Sequence, residues 1–477
     1  MSLKAKVLSG TKWVALANLF KQVLQVLALI VFARLLSPDD FGLFAILMIF
    51  VGFLILFTDM GTAAALVHID NPSQKLLSSV FFFNLFVGGS LSLLLILLSP
   101  PIAHFFDNPK LETPLQIIAL NFIILAFGVV QKARYEKALN FKPVTLIESF
   151  AVLTGILTGI GAALYGLGVY SLVAQTLTTS LVTVILLWLV SKWKPLFHFS
   201  WQDIKTIWGY TANLSAFNLV NYFARNADNF LIGKFLGSSA LGVYSLAYSM
   251  MLYPIQNISR VLLRILFPAF SQIKEDNEKF KKAYLRAIFF IALVSFPIMT
   301  GLIVTADLLV EVLFGDKWAN LSTILMLLAP VGIIQSIGTT NGSIYMAKGN
   351  TALLLKIGIV STIVTVLFFI PGVMYGVEGV ALSYLLSNLV MLYPVFKLSW
   401  GQIGLSIREG LQTIGPLILI TLLMGIGVFL IGKSLLPLSL PPLLLLAVMV
   451  LSGILLYLGL IRVKYGKLTL LLQELKR

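Results

Sequence analysis

The sequence predicts an all-α protein that crosses a membrane about 14 times, because apolar residues dominate its composition and recur in helix-length stretches. Of its 477 residues, 59% are hydrophobic and 11% are charged, whereas about a quarter of the residues in a soluble domain are charged. Fourteen spanning helices of about 20 to 25 residues would use about 300 to 350 residues and leave only short connections and two tails. The composition therefore excludes a water-soluble protein and a large catalytic domain outside the membrane.

Polar clusters and helix breakers separate the apolar stretches. Examples are Ser37–Asp40, Ser99–Pro101 and Gly315–Lys317. The first stretch is too long for the core of a signal peptide and contains Lys21, so we expect an uncleaved helix there. In chain order, the predicted spans are residues 12–35, 41–67, 76–99, 113–133, 143–165, 168–191, 207–235, 240–268, 284–314, 318–347, 352–375, 377–398, 412–434 and 441–462.

The positive charges are unevenly distributed between the two sides of the predicted bundle. Of the 34 Lys and Arg residues, 25 fall in connections on the side of the N-terminus and 5 fall on the other side. Basic loops therefore account for the net charge of +15, which does not indicate a nucleic-acid partner. Because basic loops stay in the cytoplasm, the sequence predicts a multi-pass protein with both termini cytoplasmic.

The chain also contains an internal repeat. Residues 33–42 align with residues 233–242 at an offset of 200, which pairs Gly42 with Gly242. Parallel repeats of this kind occur in transporters, where the substrate path runs between the halves.

The repeat predicts the domain organisation. We expect two parallel six-helix repeats, residues 1–199 and 200–400, that form two lobes around a central cavity. Residues 401–477 would add two transmembrane helices and a basic cytoplasmic tail.

Several motifs resemble those of one transporter family. They are Trp13, the pair Gln22 and Gln25, the turn Ala33-Arg34-Leu35-Leu36-x-Pro38-x-x-Phe41-Gly42, and the segment Asp59-x-Gly61-x-x-x-Ala65-Leu66. Over roughly residues 10 to 400 the chain resembles the Wzx-type polysaccharide transporters of the multidrug/oligosaccharidyl-lipid/polysaccharide exporter superfamily, with the pattern closest to the colanic-acid-exporter-like branch. The resemblance implies a flippase that uses alternating access. Its cargo would be an undecaprenyl-pyrophosphate-linked oligosaccharide, moved from the cytoplasmic to the outer leaflet of a bacterial inner membrane.

Two helices related by the repeat carry matching polar stripes with helical spacing. The matching positions are Asn18, Lys21, Gln22 and Gln25 in the first helix and Asn218, Asn221, Tyr222 and Arg225 in the seventh. Polar side chains in membrane bundles commonly form hydrogen bonds between helices, which is one interpretation of these positions. Since the stripes match, we expect them to face the cavity and to bind substrate.

Four cations lie inside apolar segments, namely Lys21, Arg225, Arg260 and Arg264. A Lys or Arg near mid-bilayer costs about 2.5 to 3.5 kcal/mol on insertion scales, which argues for a function or a partner. We expect Lys21 and Arg225 to bind the pyrophosphate. Arg260 and Arg264 would attract it at the cytoplasmic mouth, although their side chains could instead extend to the inner headgroups.

Acidic residues inside the predicted membrane spans contribute to the net charge of the predicted cavity. Asp59 and Asp228 are the candidates for coupling to a proton or a sodium ion, although Asp228 could simply pair with Arg225. Glu148 is expected nearer a helix end, at the membrane interface. Four cations against two carboxylates leave a positive balance, which suits an anionic headgroup.

The sequence offers no recognisable catalytic or metal site. Its histidines, His68, His104 and His198, lie in separate connections, and it has no cysteine and no Walker motif. We therefore expect no cofactor, no metal and no enzymatic activity, with the lipid-linked oligosaccharide and the bilayer as partners. The alternatives are a MATE-type ion-coupled small-molecule antiporter and a membrane-embedded glycan-processing enzyme, which would need an acidic catalytic cluster or a large outer loop.

Overall fold

The chain is helical in the parts that can be described. The computed structural model describes residues 3–58, 61–205, 222, 226–259, 270 and 272–466, and these ranges contain no strand. The chain divides into two compact units, Met1–Gly242 and Val243–Arg477. The repeat places the boundary between the lobes earlier, after residue 199, and that assignment stays a prediction.

The helices follow one another through short connections. In the first unit they are α1 (Leu3–Leu35), α2 (Pro38–Ile55), α3 (Thr62–His68), α4 (Gln74–Phe105), α5 (Glu112–Ala126), α6 (Val129–Lys137), α7 (Phe141–Leu164) and α8 (Tyr170–Val190), and residues 226–235 are also helical. Helix α9 (Gly237–Pro254) spans the boundary between the units. In the second unit they are α10 (Asn277–Leu313), α11 (Asn320–Gly338), α12 (Asn341–Ala347), α13 (Thr351–Met374), α14 (Gly376–Gly401), α15 (Ile407–Leu435) and α16 (Pro442–Tyr465).

Within the described residues, 11 helices are long and apolar enough to cross a membrane, or 12 if the bent pair Pro109–Ala126 and Val129–Lys137 is one span. They correspond to the predicted spans one to six and nine to fourteen, which confirms an all-α polytopic membrane fold. The predicted span at 207–235 lies largely outside the described residues, and the predicted span at 240–268 is described only as far as residue 259. The total of 14 and the repeat arrangement therefore stay predictions.

The third predicted span ends later than its prolines suggest. We expected Ser99–Pro101 to form a connection, but α4 continues through both prolines to Phe105. A proline at position 100 cannot donate to the Ile96 carbonyl, and the Ser99 hydroxyl donates to that carbonyl instead, at 2.8 Å. The hydroxyl thereby satisfies an acceptor that the proline leaves open, which lowers the cost of continuing the helix.

The second predicted span, 41–67, is interrupted. Helix α2 ends at Ile55, and α3 begins after Gly61. Gly61 has φ 78°, in the left-handed region that favours glycine, so a continuous α-helix cannot pass through it. Helix α2 begins at Pro38, three residues before the predicted span, because Ser37 forms a capping box with Asp40.

A buried hydrogen-bonded cluster marks a break in the tenth predicted span. Helix α11 ends at Gly338, and α12 begins at Asn341. The Tyr284 hydroxyl lies 2.7 Å from the Thr340 hydroxyl and donates to Asn341 Oδ1 at 3.0 Å. Trp400 Nε1 in turn donates to the Tyr284 hydroxyl at 3.1 Å. These bonds tie α10 and α14 to the break and satisfy polar groups that lipid could not satisfy.

Two segments of the first unit cross at very close range. A Cβ on Gly42 would overlap the Ser238 carbonyl oxygen, and a Cβ on Gly242 would overlap the Pro38 carbonyl oxygen. Ser238 and Gly242 are the repeat partners of Pro38 and Gly42 at the offset of 200. The two contacts are therefore reciprocal, as expected for two segments related by a local twofold axis. This symmetry supports the alignment of the two repeats at an offset of 200.

Charged and polar side chains surround this crossing. Lys234 Nζ lies 2.6 Å from Asp107 Oδ2, and Lys110 Nζ lies 3.3 Å from Asp39 Oδ2. The Ser238 hydroxyl also donates to Asp39. The hydrogen bond from Lys234 lowers the pKa of Asp107, which lies in the connection after α4. These contacts hold together the end of the unit that carries the predicted outer connections.

Candidate functional site

A carboxylate lies between two lysines in the first unit. Glu148 in α7 accepts a hydrogen bond from Lys21 in α1 through Oε2 at 3.0 Å, and one from Lys132 in α6 through Oε1 at 2.9 Å. The exposed fraction of the side chain is 17% for Lys21, 29% for Glu148 and 46% for Lys132. We call these three residues the lysine–carboxylate cluster.

Close packing of α1 on α7 positions Lys21 beside Glu148. A Cβ on Gly159 would lie 2.7 Å from Phe32 Cζ, so the missing side chain allows α1 to approach α7 closely. Lys21 precedes Phe32 by 11 residues, and Glu148 precedes Gly159 by the same 11 residues. Two helices that run side by side in one direction therefore carry both contacts at matching heights, about 16 Å apart along the axes.

A bend before α6 brings Lys132 to the same carboxylate. The helical segment that ends at Ala126 and the segment that begins at Val129 meet at 43°. Trp188 Nε1 in α8 donates to the Phe127 carbonyl at 2.9 Å, so a neighbouring helix satisfies an acceptor at the bend. The change of direction lets α6 contribute a side chain that a straight extension of α5 would carry elsewhere.

The three residues of the cluster together have one net positive charge; Lys21 and Glu148 lie in the apolar helices α1 and α7, and Lys132 lies in the more polar helix α6. Lys21 lies inside α1, about 21 Å before the end of that helix at Leu35. Glu148 lies about 10 Å from the start of α7, which begins at Phe141. The ion pairs offset part of the cost of placing charge at this depth. Because two lysines share one carboxylate, the cluster can attract a further anion.

The remaining residues of the predicted stripe on α1 lie on the face that carries Lys21. Asn18 and Gln22 are half-buried, and Gln25 is exposed. The other predicted positions, Arg225, Arg260, Arg264, Asn218, Asn221 and Asp59, lie outside the described residues. Their roles therefore stay predictions.

Tyr222 and Asp228 are the described members of the predicted site after α8. The Tyr222 hydroxyl donates to the Ile49 carbonyl of α2 at 2.5 Å, so this side chain binds a helix backbone. Asp228 is buried, and its carboxylate accepts a hydrogen bond from the Asn229 backbone N–H at 2.8 Å. Both side chains thus contribute to packing in the first unit, and a role in substrate binding or ion coupling stays a prediction for each.

The sequence analysis placed Glu148 nearer a helix end and missed that it pairs with two lysines. Helix α7 begins at Phe141, so Glu148 lies about two turns inside it, where it can reach Lys21. The role of Lys132 was also missed, since it was counted with the basic connections. One signal was available, because Glu148 is the only acidic residue in the predicted span 143–165.

A second polar cluster, which the sequence analysis missed, lies in the second unit. Gln335 Nε2 in α11 donates to the Tyr384 hydroxyl in α14 at 2.6 Å. The Tyr248 hydroxyl in α9 lies 3.4 Å from the Tyr384 hydroxyl, and the two ring centroids are 5.9 Å apart. We call Tyr248, Gln335 and Tyr384 the tyrosine–glutamine cluster. It combines aromatic faces with groups that donate and accept hydrogen bonds.

Two relatives with assigned names match most of the chain. It is 28% identical over 437 residues to the lipopolysaccharide biosynthesis protein WzxC of Escherichia coli strain K12, which covers 89% of each chain. It is 30% identical over 355 residues to the teichuronic acid biosynthesis protein TuaB of Bacillus subtilis strain 168, which covers 74% of this chain and 73% of TuaB.

A solved structure has a similar fold, and a family model matches much of the sequence. The lipid II flippase MurJ in an inward closed conformation superimposes with a TM-score of 0.75 at 17% identity, over 95% of this chain and 98% of MurJ. At this identity the likeness shows the fold alone. The model of the family described as polysaccharide biosynthesis protein matches residues 31–323. The expected family is confirmed, and the chain belongs to the polysaccharide biosynthesis protein family.

Proposed function

We propose that this chain is a flippase for an undecaprenyl-pyrophosphate-linked oligosaccharide, which it carries from the cytoplasmic to the outer leaflet of a bacterial inner membrane by alternating access. The observation that carries the proposal is the lysine–carboxylate cluster, in which two lysines share one carboxylate and leave a net positive charge. A pyrophosphate offers several anionic oxygens, and an ammonium group binds phosphate as a compact point charge. The cluster therefore suits the headgroup that joins the lipid to the glycan.

The names of the relatives support a saccharide as the cargo. WzxC is named for lipopolysaccharide biosynthesis, and TuaB is named for teichuronic acid biosynthesis. We assign contacts with the sugars to the tyrosine–glutamine cluster, because aromatic faces can pack on sugar rings while hydroxyl and amide groups bind sugar hydroxyls. In this proposal the pyrophosphate headgroup and the sugar rings are recognised by different chemistry.

The proposal includes an energy source and excludes catalysis. Without a nucleotide-binding motif, uphill transport would draw on the membrane potential or on a gradient of protons or sodium ions, with Asp59 and Asp228 as candidate carriers. The chain would act as a transporter and form no bond in its cargo. The alternative, an antiporter for lipophilic cations, is disfavoured because such a cargo calls for a negative site and the described cluster is positive.

Flipping can be measured with the purified chain in proteoliposomes. A fluorescent undecaprenyl-pyrophosphate-linked oligosaccharide in the inner leaflet should become accessible to a membrane-impermeant quencher, without added ATP. Protein-free liposomes and a fluorescent phosphatidylglycerol, which lacks a pyrophosphate, serve as controls and should show no such gain. Transport of a lipophilic cation such as ethidium, without flipping of the oligosaccharide lipid, would contradict the flippase and favour the antiporter.

The proposed orientation can be tested by thiol labelling, since the chain has no cysteine of its own. Asp107 and Lys279 have side chains that are 76% and 74% exposed, so both positions can accept a cysteine. With both termini in the cytoplasm, Asp107→Cys should react with an impermeant maleimide in intact cells, and Lys279→Cys should react only after lysis. The reverse pattern would invert the topology.

A further inference from the structure

Glu148 occupies the lysines that the proposed function assigns to a phosphate anion. Each of its carboxylate oxygens is bonded to a different lysine, Oε2 to Lys21 at 3.0 Å and Oε1 to Lys132 at 2.9 Å. A pyrophosphate likewise presents separate oxygens to two ammonium groups. The carboxylate and the pyrophosphate would therefore compete for the same donors.

We propose that Glu148 is a built-in counter-anion, which holds the two lysines in the empty transporter and is displaced when a pyrophosphate group binds. The inference rests on the proposed function and adds a step to it, because it names the residue that opposes binding and assists release. Both lysines are partly exposed, and Lys132 is the more exposed of the two.

The physical reason lies in the charge of the empty site. Without Glu148, the two ammonium groups would lie near each other with no carboxylate between them, and their repulsion would add to the cost of burying Lys21. With Glu148 the empty site has a single net positive charge. When the pyrophosphate leaves, the carboxylate can take back both lysines, so cargo release does not leave them unpaired.

The counter-anion role and a purely positioning role predict different effects of neutralising Glu148 on the affinity for pyrophosphate. If Glu148 competes with the cargo, its neutralisation should strengthen pyrophosphate binding, since a repulsive charge and a competitor are both removed. If Glu148 only orients the lysines for the cargo, its neutralisation should weaken binding or leave it unchanged.

The experiment uses the purified full-length chain in detergent and isothermal titration calorimetry. Inorganic pyrophosphate and farnesyl pyrophosphate are the probes, so that the headgroup alone is compared with a headgroup on an isoprenoid. We expect Glu148→Gln to lower the Kd for both probes by about tenfold or more, which corresponds to one charge-assisted contact. In proteoliposomes the same variant should flip the oligosaccharide lipid more slowly, because release becomes the slow step.

Matched variants keep the test interpretable. Glu112→Gln removes one negative charge from the first turn of α5, outside the cluster, and should leave the Kd unchanged. Glu148→Asp keeps the charge on a shorter side chain that cannot hold both lysines equally well, so its Kd should fall by a smaller factor. This variant decides the question if Glu148→Gln does not fold. Adding Lys21→Ala to Glu148→Gln should remove the gain in affinity.

A Kd in Glu148→Gln that equals or exceeds the wild-type Kd would overturn the inference. The same holds if Glu112→Gln gains as much affinity as Glu148→Gln, or if neither Glu148 variant binds either probe. None of these results would contradict the proposed function, which is tested by flipping with the wild-type chain. The proposed function fails separately, if the wild-type chain does not flip the oligosaccharide lipid in proteoliposomes.

Discussion

A Gly42→Ala variant should unfold at a clearly lower temperature than the wild-type chain or fail to accumulate. The added Cβ would overlap the carbonyl oxygen of Ser238, which is a backbone atom, so no side-chain rotation can relieve the overlap. Overpacking usually costs about 1 to 3 kcal/mol. We expect a value at the upper end, because two backbone segments must separate. Thermal unfolding of the purified chain, followed by tryptophan fluorescence, measures the effect.

Other glycines of the chain provide the controls. Gly161 lies inside α7, and a Cβ there would meet nothing within 4 Å, so Gly161→Ala should be neutral or stabilise by up to about 1 kcal/mol. Gly242→Ala should be as damaging as Gly42→Ala. The free energy of unfolding should fall by less in the double variant than the sum of its decreases in the two single variants, because one displacement of the backbone relieves both overlaps. Wild-type unfolding temperatures for both single variants would contradict the close crossing.

The double variant Lys21→Ala, Arg225→Ala should insert normally and yet deliver little or no glycan. Lys21 is the most buried member of the lysine–carboxylate cluster, and Arg225 holds the matching position of Gln25 in the second repeat. Losing one charge-assisted contact costs on the order of 1.5 to 3 kcal/mol. A loss of that size slows flipping by about tenfold or more for each residue if the contact is made at the barrier. Proteoliposome flipping and complementation of a strain that lacks the transporter measure the loss.

Two further variants separate charge loss from substrate contact. Lys110→Ala removes an exposed lysine that pairs with Asp39, and it should keep most of the flipping rate. Arg225→Lys keeps the charge without the planar guanidinium and should retain partial activity. A stable double variant that flips at the wild-type rate would show that Lys21 and Arg225 are structural.

The family and most of the spanning helices could be predicted from the sequence, because both depend on local pattern. An apolar stretch of sufficient length forms a helix in lipid whatever its neighbours are, since its backbone groups bond within the segment. The motifs around Ala33–Gly42 likewise lie in one continuous segment. The predicted ends of two spanning helices were wrong because a side-chain hydrogen bond or a backbone conformation determined where the helix ends. The Ser99 hydroxyl compensates for Pro100, and the left-handed Gly61 interrupts a span that is predominantly apolar.

The composition of the candidate site was only partly predictable. The sequence alone determined that Lys21 lies within an apolar helix, where its charge is costly enough to require a partner or a function. Only the tertiary structure decided that the partner is Glu148, and that Lys132 joins them. The pairing depends on the register between α1 and α7, which the contact of Phe32 with Gly159 helps to set, and on the bend before α6. Register between helices comes from side-chain packing between segments far apart in the chain, and the periodicity of a single helix carries no information about it.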